Sequence, residues 1–415
     1  MKNTINYKII TFLIIVLPFA FITGPFLPDL ILSLVGLNFI FLTIRYNLYS
    51  HYKNQFTLFF LIFYLYMLLR GITSEDIYLS LIDYDGPLFY FRYLFFILAV
   101  NFYLKEDPNN FYKIFSSLLL SILFVSIDGY FQFFNTSNLF GMITKDGNRL
   151  TGIFGKEQVL GHYLSYIIPI TIILFYYLFR NKKNLIFYFF ALFVFGVFCL
   201  AFISGDRTGF LKLTLFLIGL IFFEKYFRFY GLMIIGTSII IFALLINFSD
   251  KSAARFDNTL SDIKNNTYSF IPISPGHEEL LLIGYKIFQE NKIFGKGPQA
   301  YRVLCKKNND TLYGKPCTSH VHNYYMQILS ELGLIGLSLI LFIYFLFIKY
   351  FFENLFKFLF GKKEINIPLT LVTIYFLLTF MPIISNANFY NNWVNSMICF
   401  TAAIGYTFYK RNNEK

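Results

Sequence analysis

Charge is what this sequence has least of. Only 14% of its 415 residues are Asp, Glu, Lys or Arg, against 57% apolar, whereas a soluble domain carries about one quarter charged residues. A chain with so few polar side chains cannot cover itself as a water-soluble globule. It also lacks a polar half that would form a second domain, because apolar runs recur from Ile9 to Tyr409. One membrane domain over 1–415 is the simplest organisation. Tryptophan is nearly absent, one residue against 57 Phe and 32 Tyr. With many Ile, Asn and Lys, that bias fits an A/T-rich genome, so aromatic richness carries little functional weight.

Several chemistries are missing too. There is no G-x4-GK[ST] phosphate loop, no dinucleotide fingerprint, no His-Glu-x-x-His and no Gly-x-Ser-x-Gly, so the usual nucleotide, zinc-protease and serine-hydrolase sites are excluded. No cofactor is expected. The formal charge of +12 does not mark a nucleic-acid binder, because Lys and Arg sit in short clusters between apolar runs. They recur at Lys2/Lys8, Arg45/Lys53, Lys105/Lys113, Arg180/Lys182/Lys183, Lys225/Arg228, Lys349/Lys357/Lys362/Lys363 and Lys410/Arg411/Lys415. Clusters at every second connection are orientation signals.

What is present is a series of runs long enough to cross a hydrocarbon core, which needs about 20 apolar residues per helix because unpaired backbone groups are costly in lipid. The runs are 9–23, 26–44, 56–72, 88–104, 111–134, 159–179, 185–203, 208–223, 230–247, 324–348, 367–385 and 389–409. They predict an all-α polytopic membrane bundle of about twelve transmembrane helices. The first run has no small-residue cleavage site behind it and reads as an uncleaved span. The basic clusters place both termini in the cytoplasm of a bacterial inner-membrane, multi-pass protein.

The opposite connections are Gly24–Pro28, Thr73–Pro87, Asn135–Gln158, Ser204–Arg207, the segment 249–322 and Asn386–Asn388. The long one, between the ninth and tenth spans, faces the periplasm. Cys305 and Cys317 both lie in it, and an oxidising compartment makes a disulfide between them plausible. Closing so short a loop stabilises by about 3 kcal/mol in the chain-entropy picture. The alternative, a metal pair with His320 and His322, has a spacing that matches no zinc pattern. Glu278–Asn291 reads as an amphipathic helix lying on the membrane or packing within the loop.

Three groups are candidates for chemistry. At the loop-to-span junction, Ser319-His320-Val321-His322-Asn323 puts a histidine just before a helix that Asn323 caps. A neutral imidazole there can take a proton from a hydroxyl while helix N–H groups and nearby cations hold a phosphate; an interfacial loop histidine is the bland alternative. In Ser204-Gly205-Asp206-Arg207-Thr208-Gly209, an arginine on the outer face suits bidentate phosphate contact; a snorkelling side chain paired with Asp206 is the other possibility. Arg149, with Lys296 and Arg302, can build a cationic mouth for an anionic headgroup, although each alone reads as a solvated basic residue.

This arrangement resembles the O-antigen ligase and polymerase superfamily. The resemblance rests on the large outer loop after the ninth span, Ser-Gly-Asp-Arg-Thr-Gly at 204–209, and Phe294-Gly295-x-Gly297-Pro298. Most specific is His320-x-His322-Asn323-x-Tyr325 with Glu331-Leu332-Gly333-Leu334-Ile335-Gly336 behind it. The resemblance implies a metal-independent, inverting transfer of a glycan from undecaprenyl pyrophosphate to a sugar hydroxyl of lipid A-core. It implies that His322 activates the acceptor or assists the donor and that Arg207 holds the pyrophosphate. Similar ligases carry a further essential arginine early in the loop, where this chain has His277; Arg255, Arg302 or His277 itself would fill that role. O-antigen polymerase and protein O-oligosaccharyltransferase are alternatives within the superfamily, and a polysaccharide flippase or transporter is one outside it.

Overall fold

The computed structural model describes residues 5–83, 85–143, 149–180, 184–248, 275–308, 311–312, 314–316, 318–361 and 365–413. The helices run in order α1 (Ile5–Ala20), α2 (Phe26–Tyr46), α3 (Gln55–Ile72), α4 (Ile77–Leu81), α5 (Phe91–Glu106), α6 (Asn110–Asn135), α7 (Leu160–Phe179), α8 (Asn184–Ile203), α9 (Arg207–Phe223) and α10 (Lys225–Phe248). Then come α11 (Pro275–Glu290), α12 (Ala300–Lys307), the short antiparallel strands β1 (Thr311–Leu312) and β2 (Lys315–Pro316), α13 (Tyr324–Leu359), α14 (Ile367–Thr379) and α15 (Asn392–Asn413). A helix occupies each expected run, and eight among the described residues are long and apolar enough to cross a membrane: α1, α2, α3, α5, α6, α7, α8 and α13.

Side chains such as Phe12, Leu65, Phe189, Leu232 and Phe345 stand more than half exposed around the bundle. That much apolar surface is unstable in water but is matched by lipid tails. The centre is built on α7, where every residue from Leu160 to Tyr176 is buried except His162.

The run 367–385 does not form one span. α14 stops at Thr379, and residues 380–391 continue as turns and extended chain. Pro382 has no N–H to continue a helical ladder, and the Asn386 and Asn388 side chains are buried in hydrogen bonds to other elements. α13 is also broken: Gly333, at φ +66° and ψ −165°, divides it.

The connections expected on the outer face gather at one end. Arg92 at the head of α5 pairs with Asp29 of α2 at 2.7 Å, and Trp393 Nε1 donates to the Phe21 carbonyl. At the other end, Arg411 donates to the Tyr177 hydroxyl and the Leu104 carbonyl.

The segment 249–274 lies outside the described residues. The remainder of the long connection forms a small second core of Leu280, Ile283, Ile287, Tyr301, Cys305, Leu312 and Val321. The amphipathic helix is α11, and its buried face packs within the segment and on α13. Basic residues of this segment meet the acidic connection 73–87: Lys306 to Asp83 at 2.9 Å and Lys307 to Glu75 at 2.7 Å. Arg70, near the end of α3, donates to the Phe294 and Gly295 carbonyls.

Candidate active site

The two glycine-bearing motifs are halves of one backbone crossing. At the break in α13, Lys296 and Gly297 donate their N–H groups to the Ser330 and Glu331 carbonyls at 3.1 and 2.8 Å. Leu334 and Ile335 donate to Lys292 and Ile293 in return. The chains are so close that a Cβ on Gly295 would sit 2.4 Å from the Glu331 carbonyl, and one on Gly333 would sit 2.3 Å from the Ile293 oxygen. Both also have positive φ, so glycine is required twice over. Tyr66 satisfies the Leu332 carbonyl at the break, and Arg70 donates to the Phe294 carbonyl of the facing turn. This crossing anchors the segment that follows α11 to α13 six to eleven residues beyond Tyr324.

At the head of α13, Asn323 accepts from the Met326 N–H at 3.0 Å and so caps the helix. His322, just before the cap, is held at φ +59°, a left-handed conformation uncommon for a residue with a side chain. Its ring lies 3.9 Å from that of His320 and 5.2 Å from that of His277, centroid to centroid. Asn386 fixes both neighbours: its N–H donates to the His322 carbonyl at 2.9 Å, and its carbonyl accepts from Nε2 of His320 at 3.3 Å. Because a carbonyl only accepts, Nε2 of His320 carries the proton, and Nδ1 takes the Ser319 hydroxyl at 2.7 Å. His320 therefore has both nitrogens engaged within the protein and supports the site rather than offering a ring nitrogen to a substrate.

Burial, reinforced by neighbouring histidines, keeps these rings uncharged. His320 is pushed down to about 3 by burial and then by His322; His322 is pushed down to about 4 by burial and then by His277. Burial also lowers His277.

A fourth histidine joins them. His162, the third residue of α7, binds the Asp206 carboxylate through Nδ1 and lies near enough to His322 to act on it electrostatically. Asp206 also caps α9 by accepting from the Gly209 N–H at 3.0 Å. Burial works against ionisation of Asp206, but His162, the Gly209 N–H and Lys212 together hold it below the usual carboxylate range. Lys212, itself buried, reaches the Asn386 side-chain oxygen at 3.3 Å and lies 5.3 Å from the Tyr166 ring. Asp206 is thus bonded to His162, which acts on His322 electrostatically, and Lys212 is bonded to Asn386, which in turn bonds His320 and His322.

His162, Lys212 and Asn386 were not singled out from the sequence. His162 and Lys212 sit inside apolar runs, the usual place for ionisable side chains with a function in membrane proteins; that signal was available.

The cations divide. Arg207 is the first residue of α9, exposed, and directly follows Asp206, whose carboxylate is already engaged by His162 and Gly209. Arg302 of α12 donates to Gln299 and acts on His320, Glu331 and Asp85, which brings it beside the histidines. Arg149 is exposed at the end of the connection after α6. Lys296 does not serve a cationic mouth: it pairs with Glu290 at 2.8 Å and faces Glu75 at 3.7 Å. Cys199 and Cys399 are free, Cys305 is disulfide-bonded, and Cys317 and Arg255 lie outside the described residues. Among the described residues no group of histidines, cysteines and carboxylates is arranged to hold a metal ion.

No curated protein matches the chain. The family model described as O-Antigen ligase matches residues 192–341, from within α8 through Arg207, His277, His320 and His322 to just beyond the break in α13, while His162 lies before it; this match supports the O-antigen ligase superfamily for this multi-pass membrane protein.

Proposed function

We propose that this protein is a membrane glycosyltransferase of the O-antigen ligase type, moving a glycan from undecaprenyl pyrophosphate to a sugar hydroxyl of lipid A-core on the periplasmic face of the inner membrane. The observation that carries this reading is the meeting at one end of the bundle of two separate motifs, the Asp206-Arg207 turn and the His320–His322 junction, linked through His162 and Asn386. Such a site has neutral imidazoles for proton transfer and exposed or half-exposed arginines for a diphosphate. It needs no nucleotide, because a sugar on pyrophosphate carries its own leaving group. Arg207 holds the pyrophosphate, Arg302 supplies the second cationic contact, and His322 touches the reacting oxygens. Both termini are cytoplasmic in this orientation.

An O-antigen polymerase shares the donor and differs in its acceptor, so the test is genetic. Deletion of the gene, with surface polysaccharide resolved on a gel, leaves full-length polymer on the polyprenol carrier if the protein is a ligase. Core bearing a single repeat unit would instead identify a polymerase. Unchanged surface polysaccharide and no lipid-linked accumulation would remove both readings.

A further inference from the structure

Two glycines bring α7 and α9 into contact at their outer ends. A Cβ on Gly161 would sit 2.5 Å from the Asp206 Cβ, and one on Gly209 would sit 2.5 Å from the Gly161 carbonyl oxygen. That approach seats His162 against the Asp206 carboxylate. A carboxylate only accepts, so Nδ1 of His162 carries its proton and Nε2 presents a lone pair. No partner holds Nε2 among the described residues. In the otherwise buried stretch Leu160–Tyr176, His162 alone is partly exposed, with 26% of its side chain accessible.

His322 is placed differently. Its ring faces two other imidazoles, and no carboxylate among the described residues pairs with it. A proton arriving on His322 would meet burial and neighbouring histidines; one arriving on His162 would find a counter-ion already fixed in place. An imidazole oriented by a buried carboxylate is the arrangement that accepts a proton during attack by a hydroxyl, with the carboxylate setting the tautomer and stabilising the imidazolium.

We propose that His162, positioned by Asp206, is the catalytic residue that takes the proton of the attacking hydroxyl, while His322 remains uncharged and hydrogen-bonds at the reacting centre. This rests on the glycosyl-transfer reading above. The hydroxyl oxygen forms a bond to the anomeric carbon, the bond from that carbon to the pyrophosphate oxygen breaks, and its electron pair leaves with the pyrophosphate. The hydroxyl proton moves to Nε2 of His162. Asp206 does not touch the substrate and is a positioning residue.

The test uses the full chain in lipid vesicles with a polyprenyl-pyrophosphate-linked oligosaccharide and a core-glycan acceptor. His162→Gln should lower kcat by about 10²-fold or more, the usual effect of removing a general base, with donor KM little changed. His162→Ala should regain about tenfold or more of its lost kcat when imidazole is added, because a small base can enter the vacated space. Asp206→Asn should also lower kcat, through the wrong tautomer. Wild-type kcat in His162→Gln overturns the proposal. So does a loss in His162→Ala that imidazole fails to restore while donor KM stays normal. An inactive wild type overturns the glycosyl-transfer reading and this role with it, whereas an active wild type with a silent His162→Gln leaves that reading standing.

Discussion

The backbone N–H of Asn386 donates to the carbonyl oxygen of His322 over 2.9 Å. Through this bond the broken span after α14 holds the left-handed turn that presents the His322 ring. The same asparagine accepts from Lys212 on its side chain, and both residues are buried. Asn386→Leu should therefore strand the Lys212 ammonium without its acceptor, at a cost of about 1–3 kcal/mol. Adding Lys212→Met should recover part of that loss, because the stranded ammonium is gone; the remainder reflects the Ile384 carbonyl, which loses the Asn386 amide donor, and Asp206, which loses a nearby cation. Thermal unfolding followed by circular dichroism checks this. Equal stability of the single and double variants would mean that the contact does not matter.

The crossing at Gly333 makes a second prediction. Gly333→Ala puts a methyl group 2.3 Å from the Ile293 oxygen at a φ of +66°. Backbone strain alone costs about 1–2 kcal/mol, and the clash adds to it. Gly361 offers the control, since it has φ +61° with nothing within 4 Å of a Cβ. Gly333→Ala should melt lower than Gly361→Ala and should expose the outer segment to protease. Equal behaviour of the two would show that strain acts alone.

Much of the bundle was legible because the membrane makes one demand, a long apolar run, and each run holds a helix. Asn323 as a cap was readable for a similar local reason: its side chain serves its own helix. The site was only half legible. Arg207 and His322 stand in recognisable motifs, but the bonds that join α9 to the histidine junction run from Lys212 through Asn386, and a chain of apolar residues around Pro382 hid the end of α14. His162 was missed because its meaning comes from Asp206, 44 positions away. Phe294–Pro298 and Glu331–Gly336 read as separate motifs; the break at Gly333 and the pairing of the two segments exist only in three dimensions.

Acid should loosen the histidine cluster. Folding holds His320 at about 3 and His322 at about 4, below the ordinary value of about 6.5. The unfolded chain thus binds more protons between those limits, and stability rises with pH there. The contribution is fully present above about 6.5 and is lost as pH falls through 4 to 3. The melting temperature should drop between pH 7 and pH 4, and His320→Gln should flatten that slope. A His320→Gln variant with the wild-type slope would assign the acid sensitivity elsewhere.

Arg207 provides the sharpest separation of charge from geometry. Arg207→Lys keeps the positive charge and the long stem but loses the planar fork that meets two phosphate oxygens at once. If the residue binds the donor pyrophosphate, donor KM should rise by about tenfold or more, which corresponds to losing one charge-assisted hydrogen bond. If it only anchors α9 at the lipid headgroups, lysine should serve as well and KM should not move. Arg149→Gln is the companion variant, because Arg149 is exposed on a connection that is not tied to Asp206 or His322 by any described bond. Its effect should be small and should fade as salt is raised, since an exposed charge attracts an anionic donor mainly at long range. A salt-sensitive loss at Arg149 alongside a salt-resistant loss in Arg207→Lys would distinguish attraction of the donor from its coordination. The reverse pattern would move the pyrophosphate away from α9.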